Sequence, residues 1–139
     1  MLQLAQSAEV PFDGCFVNEG PLRWVARNTS KPGRPAAEAW VLHASGEWTA
    51  AHVDATPGEV LEMLTEAFAR LVPAVAAEGA LVHGAAHRWL YSQAEVPLTE
   101  GFLWSATAAL GVAGDWLNGS RVEGAWLSGL YLAEAMLAA

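Results

Sequence analysis

GVAGDWLNGSRVEGAWLSGLYLAEAML, from Gly111 to Leu137, is the stretch whose pattern decides the fold class. Ala109 to Ala113 is apolar and of strand length. Gly114 permits a tight turn or a close approach by another group. Asp115 is the one acid at the carboxyl end of that strand. Asn118-Gly119-Ser120 is strong turn chemistry. A helical run then continues to Leu137, its body interrupted only by Ser128 and Glu134. A helix that is apolar all round is expected to be buried all round.

Small residues mark one side of this helix. Ala125, Gly129 and Ala133 recur at every fourth position, with Gly124 and Ser128 beside them. Glycine inside a helix costs about 1 kcal/mol against alanine. It is tolerated where a backbone or a flat ligand comes close. The helix N-terminus carries free amides and a partial positive charge, which suits an anion or a polarised carbonyl. Two readings stay open on these residues: a cofactor against that N-terminus with Asp115 bonding its hydroxyls, or a tightly packed core helix after a turn.

Upstream, the pattern is one of short strands. Met1 to Glu9 shows no clear period and is expected to be a frayed start or an edge element. Val10 to Val17 reads as a strand with a bulge at Gly14. Asn18-Glu19-Gly20-Pro21 is a turn, and Leu22 to Ala26 is a second strand. Asn28 to Pro35 is a loop, and Ala39 to Ala44 a third strand. Loops between such short strands suggest an antiparallel meander. Thr56-Pro57-Gly58-Glu59 is a capping box with proline in the first turn. Leu61, Leu64, Phe68 and Leu71 follow at helical spacing, with Glu62 and Glu66 on the other face. Pro73 ends that helix near Val72. Ala80 to Tyr91 reads as a further strand, Gln93 to Glu100 as a loop and Gly101 to Trp104 as a brief strand.

Composition narrows the function classes. The chain has 139 residues, enough for one domain, and 53% of them are hydrophobic. Seven tryptophans are more than a small fold can easily bury, which hints at a partner surface. The formal charge of −8 argues against nucleic acid and anionic membranes as partners. Four of the seven bases, Arg23, Arg27, Lys31 and Arg34, share one stretch. They are either solvated loop charges or a local site for a phosphate-bearing substrate or cofactor. The single Cys15 excludes an internal disulfide and fits a reducing compartment. It sits in an apolar run, where cysteine behaves as a small hydrophobe. No signal-peptide pattern and no apolar run of membrane-spanning length is present, so a cytoplasmic location is expected. His83 and His87 have zinc-like spacing, but no third ligand follows and no metal is expected. There is no G-x-S-x-G elbow, P-loop or Cys-x-x-Cys.

GVAGDWLNGSRVEGAWLSG resembles the C-terminal flavin-contacting motif of flavin-containing amine oxidases, in particular their renalase-like bacterial branch. CFVNEGPLRWVARNTSKPGR (Cys15 to Arg34), WVLHASGEWT (Trp40 to Thr49) and HRWLYSQ (His87 to Gln93) resemble that branch in the same order and at similar spacing. The likeness covers nearly the whole chain and is weakest from Gln93 to Ser105. It implies FAD as cofactor and hydride transfer from a reduced small-molecule substrate, such as a dihydronicotinamide, to flavin, with reoxidation by oxygen. On the flavin side it implies contacts from Gly114, Asp115, Arg121, Val122, Glu123, Gly124, Ala125 and Ser128. On the substrate side it implies Asn28, His43 and His87. His43, at the end of a strand, can face a cleft. None of these is expected to act as an acid or base, because such a reaction mainly needs two flat rings positioned and an anionic reduced flavin stabilised.

Family members open with a strand, a G-x-G-x-x-G turn and a helix that hold the ADP part of FAD. This chain has no such motif and opens at what looks like the middle of the family sequence. The expectation is therefore an α+β fold. A mostly antiparallel sheet and one covering helix would occupy residues 1–108, and a flavin-contacting strand, turn and helix residues 109–139. The chain would act as the C-terminal portion of an oxidoreductase. The alternatives are a non-catalytic binding or regulatory remnant, or one subunit of a split flavoenzyme, completed by an N-terminal FAD-binding chain or paired as a homodimer.

Overall fold

A computed structural model describes residues 1–92 and 94–138 of the chain. The fold is α+β, with a mostly antiparallel sheet and three helices. It divides into two compact units, Met1–Arg88 and Trp89–Ala139. Residues 89–108, grouped with the N-terminal part on sequence grounds, lie in the second unit. The start of the expected loop at Gln93 lies outside the described residues.

The first unit is built on a five-stranded antiparallel sheet. Its strands are β1 (Leu2–Leu4), β2 (Gly14–Phe16), β3 (Leu22–Arg27), β4 (Glu38–Ala44) and β5 (Leu81–Gly84), in the order β2-β3-β4-β1-β5. The first residues are thus neither frayed nor at an edge. Leu2 pairs with Trp40 on one side and Gly84 on the other. Three residues are too few to show a period, and only the long-range pairing reveals the strand. The same brevity limits β5. Pairing ends where Ala85 N–H donates to the Met1 carbonyl, so the strand expected to reach Tyr91 stops at Gly84.

Gly14 does not make the expected bulge. The register shifts fall between Leu22 and Trp24 and between Gln3 and Leu4. Gly14 instead lies under an indole: a Cβ there would come within 2.8 Å of Trp24 Cζ2. Glycine in a strand marks a close approach as readily as a bulge.

Two helices complete the unit. α1 (Gly46–Ala51) was not anticipated, although Ser45 is a good cap and its Oγ accepts a bond from Trp48 N–H at 3.2 Å. α2 (Pro57–Leu71) matches its sequence signals. Thr56 Oγ accepts from Glu59 N–H at 3.3 Å, and the Glu59 carboxylate accepts from Thr56 N–H at 2.8 Å. Leu64, Ala67 and Phe68 are buried, while Leu71 is more exposed than its place in the apolar stripe suggested. Phe68 packs on Trp40 with ring centroids 5.1 Å apart, beneath the sheet. Both rings are fully buried, with Leu22, Val25 and Val72 around them.

The capping box makes a local prediction. Thr56→Ala is expected to lower stability by about 1 kcal/mol in denaturant unfolding. Hydrogen bonds from the Thr56 backbone and side chain hold the Glu59 carboxyl below its ordinary value of 4.5. A carboxyl depressed in the folded state adds stability above its unfolded value and loses it as pH falls through the folded value. The stability gap between wild type and Glu59→Gln should therefore close below pH 4.5. A gap unchanged into stronger acid would contradict this.

The second unit contains a hairpin of β6 (Leu103–Ser105) and β7 (Leu110–Val112), a 3-10 turn at Asp115–Leu117 and α3 (Val122–Leu137). Here the expectation of a helix buried all round fails. Within α3 only Gly124 and Ser128 are buried, while Val122 is 91% and Trp126 66% exposed. A two-stranded hairpin and one turn offer too little surface to enclose a four-turn cylinder. Among the described residues no helix is long and apolar enough to cross a membrane.

Candidate functional site: the turn into the last helix

The residues expected on the flavin side fall into two groups. Gly114, Gly124 and Ser128 hold the chain to itself. Gly114 N–H donates to Ser128 Oγ at 3.0 Å. Asn118 Nδ2 donates to the Gly124 carbonyl at 3.4 Å. A Cβ on Gly124 would lie 2.0 Å from the Asn118 carbonyl oxygen. The close approach that this glycine permits is therefore made by the preceding loop, not by a flat ligand. Asp115 belongs to the same loop: its carbonyl accepts from Asn118 N–H at 2.9 Å and Ser120 N–H at 2.8 Å. Gly119 at φ 89° and Ser120 at φ 53° reverse the chain in the left-handed region.

The other group stays at the surface. Arg121 is the N-cap of α3, and no side chain caps this end. Arg121, Glu123 and Gly124 line an open depression of about 340 Å³ with Asn118, Gly119 and Leu127. Val122 and Ala125 are exposed outside that lining. The stripe of Ala125, Gly129 and Ala133 is exposed, and nothing lies within 4 Å of a Cβ placed on Gly129.

The substrate-side residues are not gathered in one place. Asn28 opens a 3-10 turn after β3, and its Oδ1 accepts from Lys31 Nζ at 3.0 Å. His43 is opposite Trp24 in the β3–β4 ladder. Asn28 is four residues beyond Trp24, about 13 Å along the strand. His87 follows β5, which β1 separates from β4. Arg88, next to His87, donates from Nη2 to the Ala55 carbonyl at 3.0 Å.

His43 nevertheless lies on an informative surface. Residues opposite one another in a ladder share a face. Phe16 faces Trp24 and Trp24 faces His43, so all three share the side of the sheet away from Val25 and Leu42. Phe16 and Trp24 have ring centroids 4.7 Å apart, and Phe16 is 70% exposed. This aromatic pair was missed on sequence grounds; its signal was Gly14, the one residue small enough to sit beneath Trp24.

No protein-family model matches the chain. The likeness to flavin-containing amine oxidases rests on the motifs quoted above.

The basic stretch does not form a shared phosphate site. Arg27 pairs with Asp13 at 3.2 Å and Glu38 at 3.2 Å and lies over the Trp40 ring at 5.0 Å. Lys31 is engaged by Asn28. Arg23 lines a separate hollow. Arg23 sits at the register shift between Leu22 and Trp24 and Arg27 at the far end of β3, so the two meet different surroundings, which a count of charges in sequence does not reveal. Among the described residues, no three His, Cys, Asp or Glu side chains are placed to hold a metal ion.

Proposed function

We propose that this chain is the C-terminal portion of an FAD-dependent oxidoreductase of the amine-oxidase, renalase-like kind. The observation that carries the reading is the uncapped N-terminus of α3, with Arg121 and Glu123 lining the depression beside it. The first-turn N–H groups of a helix have no intrahelical partner, and they favour an anion or a polarised carbonyl. The residues present fit one end of such a cofactor. Arg121, Val122, Glu123 and Ala125 are exposed and available to hold it. Gly114, Gly124 and Ser128 support it from behind by fixing the loop. Bound flavin would supply the hydride acceptor. In the second unit the protein's share is to fix that ring; in the first unit, taken by itself, His43 and the Phe16–Trp24 pair offer a surface for a flat substrate.

A second reading is favoured by the exposure of Val122, Trp126, Met136 and Leu137 on α3. Apolar surface of this extent on one helix suits an associating chain, so one subunit of a split flavoenzyme is the alternative. Incubation with excess FAD followed by gel filtration separates the two. Retention of the flavin absorption spectrum supports binding by this chain alone. A colourless protein sinks the stand-alone reading and leaves the two-chain enzyme or a non-catalytic remnant.

A further inference from the structure

The loop joining β2 to β3 meets the start of α1 around a hollow of about 320 Å³, which the flavin reading touches only at Phe16. Leu22 and Phe16 supply its apolar lining; Asn18, Arg23, Ser45 and Glu47 supply the polar part. The hollow is fixed by bonds that leave its charged groups untouched. Ser45 N–H donates to the Pro21 carbonyl at 2.8 Å, and Ser45 Oγ accepts from Trp48 N–H. Phe16 is held against Trp24.

Arg23 and Glu47 carry opposite charges in this one hollow, yet they make no ion pair with each other. Among the described residues both salt bridges belong to Arg27. Each charge is therefore open to an opposite charge on a ligand. A carboxylate suits the Arg23 guanidinium, and an ammonium suits the Glu47 carboxylate. The adjoining Phe16 ring suits an apolar or aromatic substituent.

We propose that this hollow binds a small zwitterion with an apolar side chain, of the chemical class of an aromatic α-amino acid. The two charged groups of the site, Arg23 and Glu47, have no part in the flavin reading, so the proposal stands or falls without it.

The test is an amide NMR titration of the full chain with L-phenylalanine, N-acetyl-L-phenylalanine and L-phenylalaninamide. Shifts are expected at residues 17–23 and 45–47. Loss of either ligand charge should weaken binding about threefold, the scale of one exposed ionic contact. Glu47→Gln should remove the preference for the free amine over its acetylated form and keep the preference for the carboxylate. Arg23→Gln should do the reverse. Both side chains are exposed, so the spectra of the variants elsewhere should superimpose on wild type. Absence of shifts in these segments overturns the proposal, as does discrimination that neither variant alters. If the wild-type chain discriminates at only one of the two ligand charges, the zwitterion is overturned in favour of a singly charged ligand.

Discussion

Glu38→Ala is expected to cost about 3–5 kcal/mol of the first unit's stability, the range for removing one partner of a buried ion pair. The Glu38 and Arg27 side chains are 9% and 16% exposed. Glu38 Oε2 accepts from Arg27 Nη1 at 3.2 Å, while Oε1 accepts from Trp40 Nε1 at 2.8 Å and Ala8 N–H at 3.1 Å. Arg27 Nη2 closes the loop by donating to the Ala8 carbonyl at 2.8 Å. Loss of the carboxylate thus strips a largely buried guanidinium of one partner and leaves two further donors unmet. In a domain stabilised by about 5–15 kcal/mol this is a large share. Urea unfolding followed by circular dichroism would show it. The double variant Arg27→Met with Glu38→Met should recover part of the loss, because it removes the stranded charge but not the unmet donors on Trp40 and Ala8. A loss below about 1 kcal/mol for Glu38→Ala, the level of an exposed pair, would contradict the assignment.

The second large effect concerns the glycines of α3, which are expected to respond in opposite directions. Gly124→Ala places a methyl 2.0 Å from a backbone oxygen of Asn118. Backbone cannot swing aside as a flexible side chain can, so the loop from Gly114 to Ser120 must shift. A cost of at least about 1–3 kcal/mol is expected, the usual range for overpacking. Faster amide exchange at Gly114 should accompany it, as its bond to Ser128 loosens. Gly129→Ala meets nothing within 4 Å. It should stabilise the helix by about 0.4–1 kcal/mol by restricting the unfolded chain. Equal responses from the two variants would show that the loop does not press on the helix at Gly124.

These glycines also show what the sequence could disclose. Gly124 stands out in the sequence because helical glycine needs a reason, but the reason lies in Asn118, and no local pattern says so. α2 was legible except for the exposure of Leu71 at its end, since its cap, proline and apolar stripe act within a few residues of one another. The α+β class followed from the same short-range signals. β1 and the early end of β5 were not legible, because each depends on a partner far along the chain. On the site, the pattern located the turn before α3. It did not separate Arg121, at the surface, from Ser128, which is buried and bonded to Gly114. That separation depends on which way the helix turns, and an apolar cylinder carries no polar face to set its rotation.

The inner position of β1 has a consequence for how the protein is made. A ribosome delivers Leu2 before its two partners, Trp40 and Gly84, which arrive in succession. Until Gly84 has emerged, β1 remains the open side of a growing sheet. Folding of the first unit during synthesis therefore completes only when nearly all of it is out, and a pause in translation before residue 84 would leave an unpaired strand exposed to neighbouring chains.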